Sequence, residues 1–420
     1  MYQKTTLDNG LRILTATMPH TRSVSINIFI GIGSRYETEP EAGISHFIEH
    51  LCFKGTAKRQ SYMYICSDIE GVGGIFNAGT NKELTVYWTK VGQPYFPLAV
   101  EVLGDMILNS KFDPAEIERE RQVIIEEINM VKDAPSHLVN LLIDEILWPG
   151  HPLGRDTAGS KESVTAMSRE TILEYIGRDY IPNNSVVSIA GNIEHEEAVR
   201  IVSQATAGWK TRTPRPAFHP YEEQPNPRLR IEKKETEQAH LCLAMPGLSL
   251  LDSRRYSLGL LNVILGEGMS SRLFTEIRDK RGLAYSIHSY VDHFLDSGSV
   301  TVYAGVEPKN VPVAIEAILE QLALMKKPVP EPELSRAKEM SKGRMLLRME
   351  DTRDVAGWIG GQEILADRVL TVDQVVSIID SITADEVRKV AEELLVSEHL
   401  RLAVVGPLAD GEALGNLLKL

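Results

Sequence analysis

The hydrophobic spacing of residues 42–56, AGISHFIEHLCFKGT, is that of a helix with one buried face. Apolar side chains recur at intervals of three and four positions, as a 3.6-residue repeat requires. They are Ile44, Phe47, Ile48, Leu51 and Cys52. His46, Glu49 and His50 lie off this face, and residues three or four apart are neighbours on a helix surface. The pattern predicts a helix that brings two imidazoles and a carboxylate together.

A second helix is predicted over residues 112–133, FDPAEIERERQVIIEEINMVKD. Asp113 suits the N-cap, Pro114 the first helical position, and Glu116 the third, where it would complete a capping box. Steps of three and four positions then join Ile117, Glu120, Ile124, Glu127 and Val131. Two carboxylates therefore occupy places that a packed helix usually gives to apolar side chains. Because an unpaired buried carboxylate is costly, we expect Glu120 and Glu127 to face a cation or a hydrogen-bonding network.

Two distant parts of the chain share one pattern, which indicates a duplication. LTVYWTKVGQPYFPLAVEVLGDMI (84–107) and VTVYAGVEPKNVPVAIEAILEQLA (300–323) each combine a β-branched strand, a turn and an amphipathic helix. Their Thr-Val-Tyr triplets lie 216 positions apart, and Gly191 and Gly406, in a second pair of similar segments, lie 215 apart. Similar offsets along the chain predict a duplicated domain of about 210 residues.

The predicted strands and helices favour an α+β fold. Strands such as SVSINIFIGIG (23–33) precede helical stretches without a regular βαβ alternation. We expect two homologous domains, each a mostly antiparallel sheet packed with helices. Residues 210–228 contain five prolines and no apolar periodicity, which predicts an extended linker. The predicted domains are therefore residues 1–209 and 229–420.

Composition and charge exclude several classes of protein. The 420-residue chain carries a formal net charge of −13, which argues against binding to nucleic acid or to an anionic membrane. No apolar stretch approaches the roughly 18 residues of a spanning helix, and the amino terminus resembles neither a signal peptide nor a transit sequence. The three cysteines are too scattered for a disulfide framework. We therefore expect a cytoplasmic protein.

The H-x-x-E-H motif formed by His46, Glu49 and His50 is the inverted form of a metallopeptidase signature. An isolated histidine would more simply belong to a partly solvated helix face. A catalytic zinc typically has three protein ligands and one open position, so the motif needs a third ligand. Glu120 and Glu127, two turns apart on the second helix, are the candidates.

The sequence resembles the pitrilysin, insulin-degrading and mitochondrial-processing-peptidase group of zinc peptidases, and its length resembles the short processing-peptidase branch. The matching motifs are HFIEHLCFKGT, IEGVGGIFNAGTNKELTVY, ERERQVIIEEI and RLFTEIRDKRGLAYS. The resemblance implies one Zn²⁺ per chain, held by His46, His50 and Glu127. It also implies that Glu49 is the general base and that Glu120 is a second carboxylate supporting the site.

These implied roles are chemically consistent. Zinc lowers the pKa of the water that it binds and polarises the scissile carbonyl. Glu49 would take the proton of that water and deliver it to the leaving amine. Glu120 would hold a ligating histidine through its other ring nitrogen.

The resemblance also implies where a peptide binds. In the group, the strand that contains Asn77 and Ala78 is a sheet edge on which an extended peptide adds by main-chain hydrogen bonds. A plain hairpin explains this sequence equally well. The group's Arg/Tyr pair corresponds to Arg278 and Tyr285, which would contact the substrate and the oxyanion at the transition state. A surface ion pair and a half-buried strand tyrosine are the simpler alternatives for these two residues.

The second half of the chain lacks a metal motif. By the duplication, His46 corresponds to about position 262, and Glu120 and Glu127 correspond to positions near Ala337 and Arg344. We therefore expect a metal-free second domain. Larger members of the group join two such two-domain halves into a closed clamshell, and this chain has the length of one half. We expect a homodimer in which Arg278 and Tyr285 serve the zinc site of the other subunit.

The function predicted from the sequence is a zinc endopeptidase or oligopeptidase that hydrolyses unfolded or presequence-like peptides inside a closed chamber. Two alternatives remain open at this point. The chain could be a catalytic subunit that needs a degenerate partner chain, or it could be a non-catalytic peptide-binding scaffold.

Overall fold

The computed structural model describes residues 2–214, 218, 220–222, 227–408 and 411–420. Its strands are Gln3–Thr6 (β1), Arg12–Thr17 (β2), Ser23–Ile30 (β3), Ile75–Thr80 (β4), Thr85–Gly92 (β5), Ser185–Gly191 (β6), Leu229–Lys233 (β7), Ala239–Pro246 (β8), Ala284–His293 (β9), Gly298–Val306 (β10) and Arg401–Gly406 (β11).

The α-helices of the described residues are Ile44–Cys52 (α1), Tyr62–Glu70 (α2), Phe96–Asn109 (α3), Pro114–Asp133 (α4), Pro135–Leu147 (α5), Lys161–Ala166 (α6), Arg169–Asp179 (α7), His195–Ala205 (α8), Arg255–Gly266 (α9), Val311–Met325 (α10), Glu331–Arg348 (α11), Thr352–Ala366 (α12), Val372–Ser381 (α13), Ala384–Leu394 (α14) and Gly411–Leu417 (α15). A π-helix spans Phe274–Lys280.

The chain forms two compact units, each built from segments that are not contiguous in the sequence. The first unit comprises residues 1–128, 156–219 and 346–371. The second unit comprises residues 129–155, 220–345 and 372–420. The sequence predicts the boundary between the two domains in the Pro-rich segment 210–228, part of which lies outside the described residues. The fold instead groups residues 129–155 with the second unit and residues 346–371 with the first.

Five strands follow the same order in the sheets of the two units, and the sheet of the first unit has β1 as an additional edge strand. The sheet of the first unit runs β1-β2-β6-β3-β5-β4, and that of the second unit runs β7-β11-β8-β10-β9. In each sheet one neighbouring pair is parallel, β2 with β6 and β7 with β11, and the other pairs are antiparallel. This common topology confirms the predicted α+β fold with two homologous domains.

In the first unit, one face of the sheet packs against α12. Leu14, Phe29 and Val186 of the sheet form an apolar cluster with Ala356 and Ile359 of this helix. The approach is close at Gly360, where a Cβ atom would meet the Phe29 ring at 2.4 Å. Any larger residue would therefore push α12 away from the sheet. The larger apolar cluster of the first unit contains residues of α1, α3, α4 and α7.

In the second unit, α5 packs against the sheet in the same way. Val139, Leu142 and Ile143 of α5 are buried against Cys242 of β8 and Val405 of β11. The helices α5 and α12 follow α4 and α11 respectively, so they hold equivalent places in the two halves of the sequence. Each sheet is thus covered by a helix from the other half of the chain. Among the described residues, no helix is both long and apolar enough to cross a lipid bilayer.

Candidate metal centre

Helix α1 carries the H-x-x-E-H motif. Ile44, Phe47 and Ile48 are fully buried in the first unit, as the hydrophobic spacing predicts. This burial leaves the imidazoles of His46 and His50 adjacent, with ring centroids 4.6 Å apart. The predicted pairing of the two histidines on one side of the helix is therefore present in the structure.

Helix α4 supplies the carboxylates. Ile117 and Ile124 are buried, and the Asp113 side chain accepts a hydrogen bond from the Ala115 N–H at 2.8 Å, which caps the helix. The Glu116 carboxylate accepts a hydrogen bond from the Arg119 guanidinium. Among the described contacts, Glu116 does not complete the predicted capping box. Within the apolar face of α4, Glu120 is buried and Glu127 is half-exposed.

His46, His50 and Glu127 converge on one point between the two helices. Each offers one ligand atom, and these three atoms lie within 4.8 Å of one another. The Glu127 Oε2 atom is 3.8 Å from His46 Nε2 and 3.6 Å from His50 Nε2. Atoms that bind one zinc ion at about 2.0–2.2 Å lie roughly 3–4 Å apart. Two imidazoles and a carboxylate with this spacing fit Zn²⁺, and Glu127 rather than Glu120 completes the set.

Glu120 lies behind His50. Its Oε2 atom accepts a hydrogen bond from His50 Nδ1 at 3.1 Å, and its Oε1 atom accepts one from Lys54 Nζ at 2.6 Å. Burial works to raise the pKa of Glu120, but these two bonds outweigh it and hold the pKa below its ordinary value. Burial works to lower the pKa of His50, and the bond to Glu120 with the charges of the nearby carboxylates raises it on balance.

His46 has a different environment. Burial, followed by the charge of His50, lowers the pKa of His46 to about 4, so this imidazole is neutral at physiological pH. Its Nδ1 atom is buried without a hydrogen-bond partner among the described residues. A carboxylate therefore orients His50 but not His46.

Glu49 lies beside the histidines and is held by a strand. The hydroxyl of Thr80, the last residue of β4, donates to Glu49 Oε2 at 2.6 Å. Burial raises the pKa of Glu49, against the opposing effect of this hydrogen bond. The arrangement leaves a carboxylate with a raised pKa that is close enough to His50 and Glu127 to interact with their charges.

Strand β4 is the edge of its sheet, as was expected for the strand that contains Asn77 and Ala78. It pairs with β5, in a register that places Ala78 opposite Tyr87. The Ala78 N–H donates to the Asn77 side chain at 2.8 Å. A main-chain donor on the open side of the strand is thus satisfied by a neighbouring side chain. The role of Asn77 and Ala78 in binding a peptide stays a prediction.

Arg278 and Tyr285 come together in the second unit. The Arg278 guanidinium lies 4.8 Å from the centroid of the Tyr285 ring and 4.7 Å from that of Phe274. Tyr285 is 76% exposed. Among the described residues Arg278 has no acidic partner. The simpler alternative for Arg278, a surface ion pair, is therefore absent from this part of the structure.

Among its described residues, the second unit has no group of potential metal ligands comparable to that of the first. In the described parts of the chain, His46, His50 and Glu127 are the one group that combines three potential ligands. Asn262 is buried and accepts a hydrogen bond from Ser289 Oγ at 2.6 Å, Ala337 is buried, and Arg344 pairs with Glu267. The positions equivalent to the ligands thus have ordinary structural contacts.

Two residues of the site were not predicted from the sequence, Lys54 and Thr80. Lys54 follows α1 and lies four positions beyond His50, a spacing that could have suggested proximity to the motif. Thr80 is 31 positions from Glu49, and no local pattern links the two. Both contacts depend on the packing of α1 against other elements.

Comparison with known proteins identifies the family. The profile of the insulinase family, peptidase family M16, matches residues 12–161, and that of the peptidase M16 inactive domain matches residues 166–341. A Streptomyces coelicolor protein named uncharacterized zinc protease is 39% identical, over 98% of this chain and 91% of that protein. The uncharacterized zinc protease YmxG of Bacillus subtilis is 36% identical, over 97% and 98% respectively.

A solved structure of a protease has a similar fold. The crystal structure of a protease from Helicobacter pylori has a TM-score of 0.91 and 21% identity, and the match covers 96% of this chain and 99% of that one. The resemblance to the pitrilysin and processing-peptidase group is confirmed by the profiles and by the full-length relatives. The chain belongs to the insulinase family of peptidases, family M16.

Proposed function

We propose that the protein is a zinc-dependent endopeptidase that hydrolyses unfolded or presequence-like peptides. The observation that carries the proposal is the convergence of His46, His50 and Glu127 within 4.8 Å, with Glu49 of the same helix beside them. The chemistry of this donor set supports one Zn²⁺ per chain. When bound, zinc supplies Lewis acidity that activates a water molecule and polarises a carbonyl group.

Residues of the chain would carry out the proton transfers of the reaction. Glu49 accepts a proton from the attacking water and passes it to the amine that leaves. The hydrogen bond from Thr80 holds the Glu49 side chain in place before the peptide arrives. Glu120 keeps the Nε2 atom of His50 directed towards Glu127 by binding the other ring nitrogen.

A peptide substrate would bind as an additional strand. The edge position of β4 and the connection from Thr80 to Glu49 support this binding mode, because a peptide paired with β4 would pass beside the general base. Strand addition uses main-chain hydrogen bonds and makes few demands on side chains. It therefore favours extended, unfolded substrates over folded proteins.

We further propose that the active species is a homodimer with a closed chamber. The support is the absence of an acidic partner for Arg278 among the described residues and the exposure of Tyr285, which leave both groups able to bind a ligand. Each subunit's Arg278 and Tyr285 would donate hydrogen bonds to the peptide and the oxyanion at the other subunit's zinc site. A chamber would also exclude bulk water from the reaction.

The test uses the zinc-reconstituted protein and its Glu49→Gln variant on an unfolded peptide. Size-exclusion chromatography is followed by a peptidase assay on the eluted peak. We expect activity in a dimer peak, loss of activity on chelation, and a decrease of roughly 10²–10⁴-fold in the variant with zinc content unchanged. Loss of zinc from Glu49→Gln would make Glu49 a ligand and contradict its role as base.

The same experiment separates the alternatives. Activity that appears only after addition of a second, different chain would identify a catalytic subunit with a degenerate partner. Zinc and peptide binding without any cleavage would identify a peptide-binding scaffold. Full activity after exhaustive chelation would overturn the proposal of a zinc peptidase.

A further inference from the structure

The amino-terminal end of α1 lacks the cap that helices usually have. Its N-cap residue is Gly43, with φ at 91° and no side chain to bond the free N–H groups of the first turn. A Cβ atom at this position would meet the carbonyl oxygen of Ala158 at 2.4 Å. The left-handed backbone and the close approach both require glycine. The cap of this helix must therefore come from elsewhere in the chain.

Glu37 provides that cap from six residues upstream. Its Oε2 atom accepts a hydrogen bond from the Gly43 N–H at 2.8 Å, and its Oε1 atom accepts one from the Ser45 N–H at 2.9 Å. The residue is only 4% exposed. A carboxylate is well suited to this end of a helix, because its charge is opposite to that of the free N–H groups. Burying a charged group is costly unless such bonds compensate it.

Ser45 is fixed at a second point. It is fully buried, and its hydroxyl lies 2.9 Å from the hydroxyl of Tyr175 on α7. Ser45 immediately precedes His46. Helix α1 has only nine residues, and a helix of this length does not maintain its position without tertiary contacts. Glu37 and Tyr175 thus hold the turn from which the first histidine projects.

We infer that Glu37 is a positioning residue of the metal centre. Its carboxylate sets the rotation and tilt of α1, so that His46 and His50 both face Glu127. The inference rests on the proposed metal-binding role of these three residues. Glu37 is not one of the residues whose ligand atoms converge, and its two oxygens bond the N–H groups of Gly43, the N-cap of α1, and of Ser45.

The test measures zinc affinity in the metal-free protein and in its Glu37→Gln variant. The amide keeps the size of the side chain but replaces one acceptor oxygen with an NH₂ group that faces an N–H donor. We expect zinc affinity, measured by competition with a chromophoric chelator, to fall about 10–100-fold, the range usual for residues that orient a ligand. The Co²⁺-substituted variant should show altered visible absorption bands, which report on ligand geometry without any turnover.

Glu363→Gln is the matched control. Glu363 is also a buried glutamate of the first unit, with its side chain 2% exposed. It accepts hydrogen bonds from Lys4 at 2.5 Å and Arg12 at 3.3 Å, and it lies on α12 rather than near α1. We expect this variant to lose thermal stability while its zinc affinity and Co²⁺ absorption stay those of the unchanged protein.

The outcomes are distinct. Equal zinc affinity in Glu37→Gln and the unchanged protein, or equal losses of affinity in both variants, would overturn the inference. If the unchanged protein binds no zinc, the proposed function fails instead. Should Glu37→Gln not fold, Glu37→Asp decides, because it retains the charge but is too short to reach both N–H groups. Reduced affinity in folded Glu37→Asp supports the inference, and unchanged affinity overturns it.

Discussion

The carboxylate of Glu120 accepts a hydrogen bond from Nδ1 of His50 at 3.1 Å. This contact leaves the Nε2 atom of the same ring 3.6 Å from Glu127. Because an imidazole has only two nitrogens, the bond to Glu120 selects which of them can serve as the ligand. Glu120 of α4 thereby determines which nitrogen of His50 faces Glu127, the second carboxylate of α4.

Replacing Glu120 with Gln should weaken zinc binding by about 10–100-fold without abolishing it. The amide can still accept one hydrogen bond, but it lacks the charge that pairs with His50 and Lys54. Zinc affinity is measured by chelator competition. Glu116→Gln, on the same helix but bonded to Arg119, is the control and should bind zinc normally. Complete loss of zinc from Glu120→Gln would indicate that Glu120 is itself a ligand.

Replacing Thr80 with Val should decrease kcat roughly 10-fold, corresponding to the loss of one hydrogen bond to Glu49. Valine preserves the shape of threonine, and Thr80→Ser preserves the hydroxyl, so the serine variant should retain most of the activity. Zinc affinity should be equal in all three proteins. A valine variant as active as the unchanged protein would show that Thr80 does not position Glu49.

Replacing Ala78 with Pro should raise KM about 10-fold or more while zinc content stays unchanged. Proline is tolerated on an edge strand where the N–H faces outwards, so the sheet should remain intact. The lost N–H bonds the Asn77 side chain in the free protein, and an added peptide strand would take the place of that side chain as its acceptor. Steady-state kinetics on an unfolded peptide provide the measurement, with Ala78→Gly as a control that keeps the N–H. An unchanged KM in the proline variant would argue against strand addition at β4.

Mixing the Glu49→Gln protein with an Arg278→Ala, Tyr285→Ala protein should restore activity that neither has alone. In a two-fold dimer each mixed pair contains one complete site, so random exchange at equal concentrations should give about a quarter of the unchanged activity. Subunit exchange is verified with a fluorescent label on one protein. Absence of recovery despite exchange would mean that the two residues do not complete a site in the other subunit.

Local sequence patterns predicted the helices of the site because its ligands follow helical spacing. His46 and His50 are four positions apart, and the apolar residues around them specify which face of α1 is buried. The choice of Glu127 as ligand depended on the family resemblance, since Glu120 has the same spacing in α4. The structure gives the physical reason, because Glu120 bonds Nδ1 of His50 while Glu127 lies near Nε2 of the same ring.

Contacts between distant elements could not be predicted in this way. The sequence of α12 does not indicate which sheet the helix covers. The need for glycine at position 360 is evident only in the structure, where Phe29 and Ser188 leave no room for a Cβ atom. Similarly, Glu37 belongs to an irregular segment without periodicity, and its bonds to Gly43 and Ser45 require a chain path that no helical or strand pattern specifies.

The reciprocal placement of α5 and α12 bears on how such a chain could have arisen. Each half of the sequence contains a sheet but contributes the helix that covers the other sheet. A polypeptide of half this length would leave an apolar face open, and it would close that face only by exchanging the helix with a second copy, which is domain swapping. Fusion of two such copies would preserve the exchange within one chain. Severing the chain in residues 210–228 would therefore yield fragments that remain interlocked rather than two independent domains.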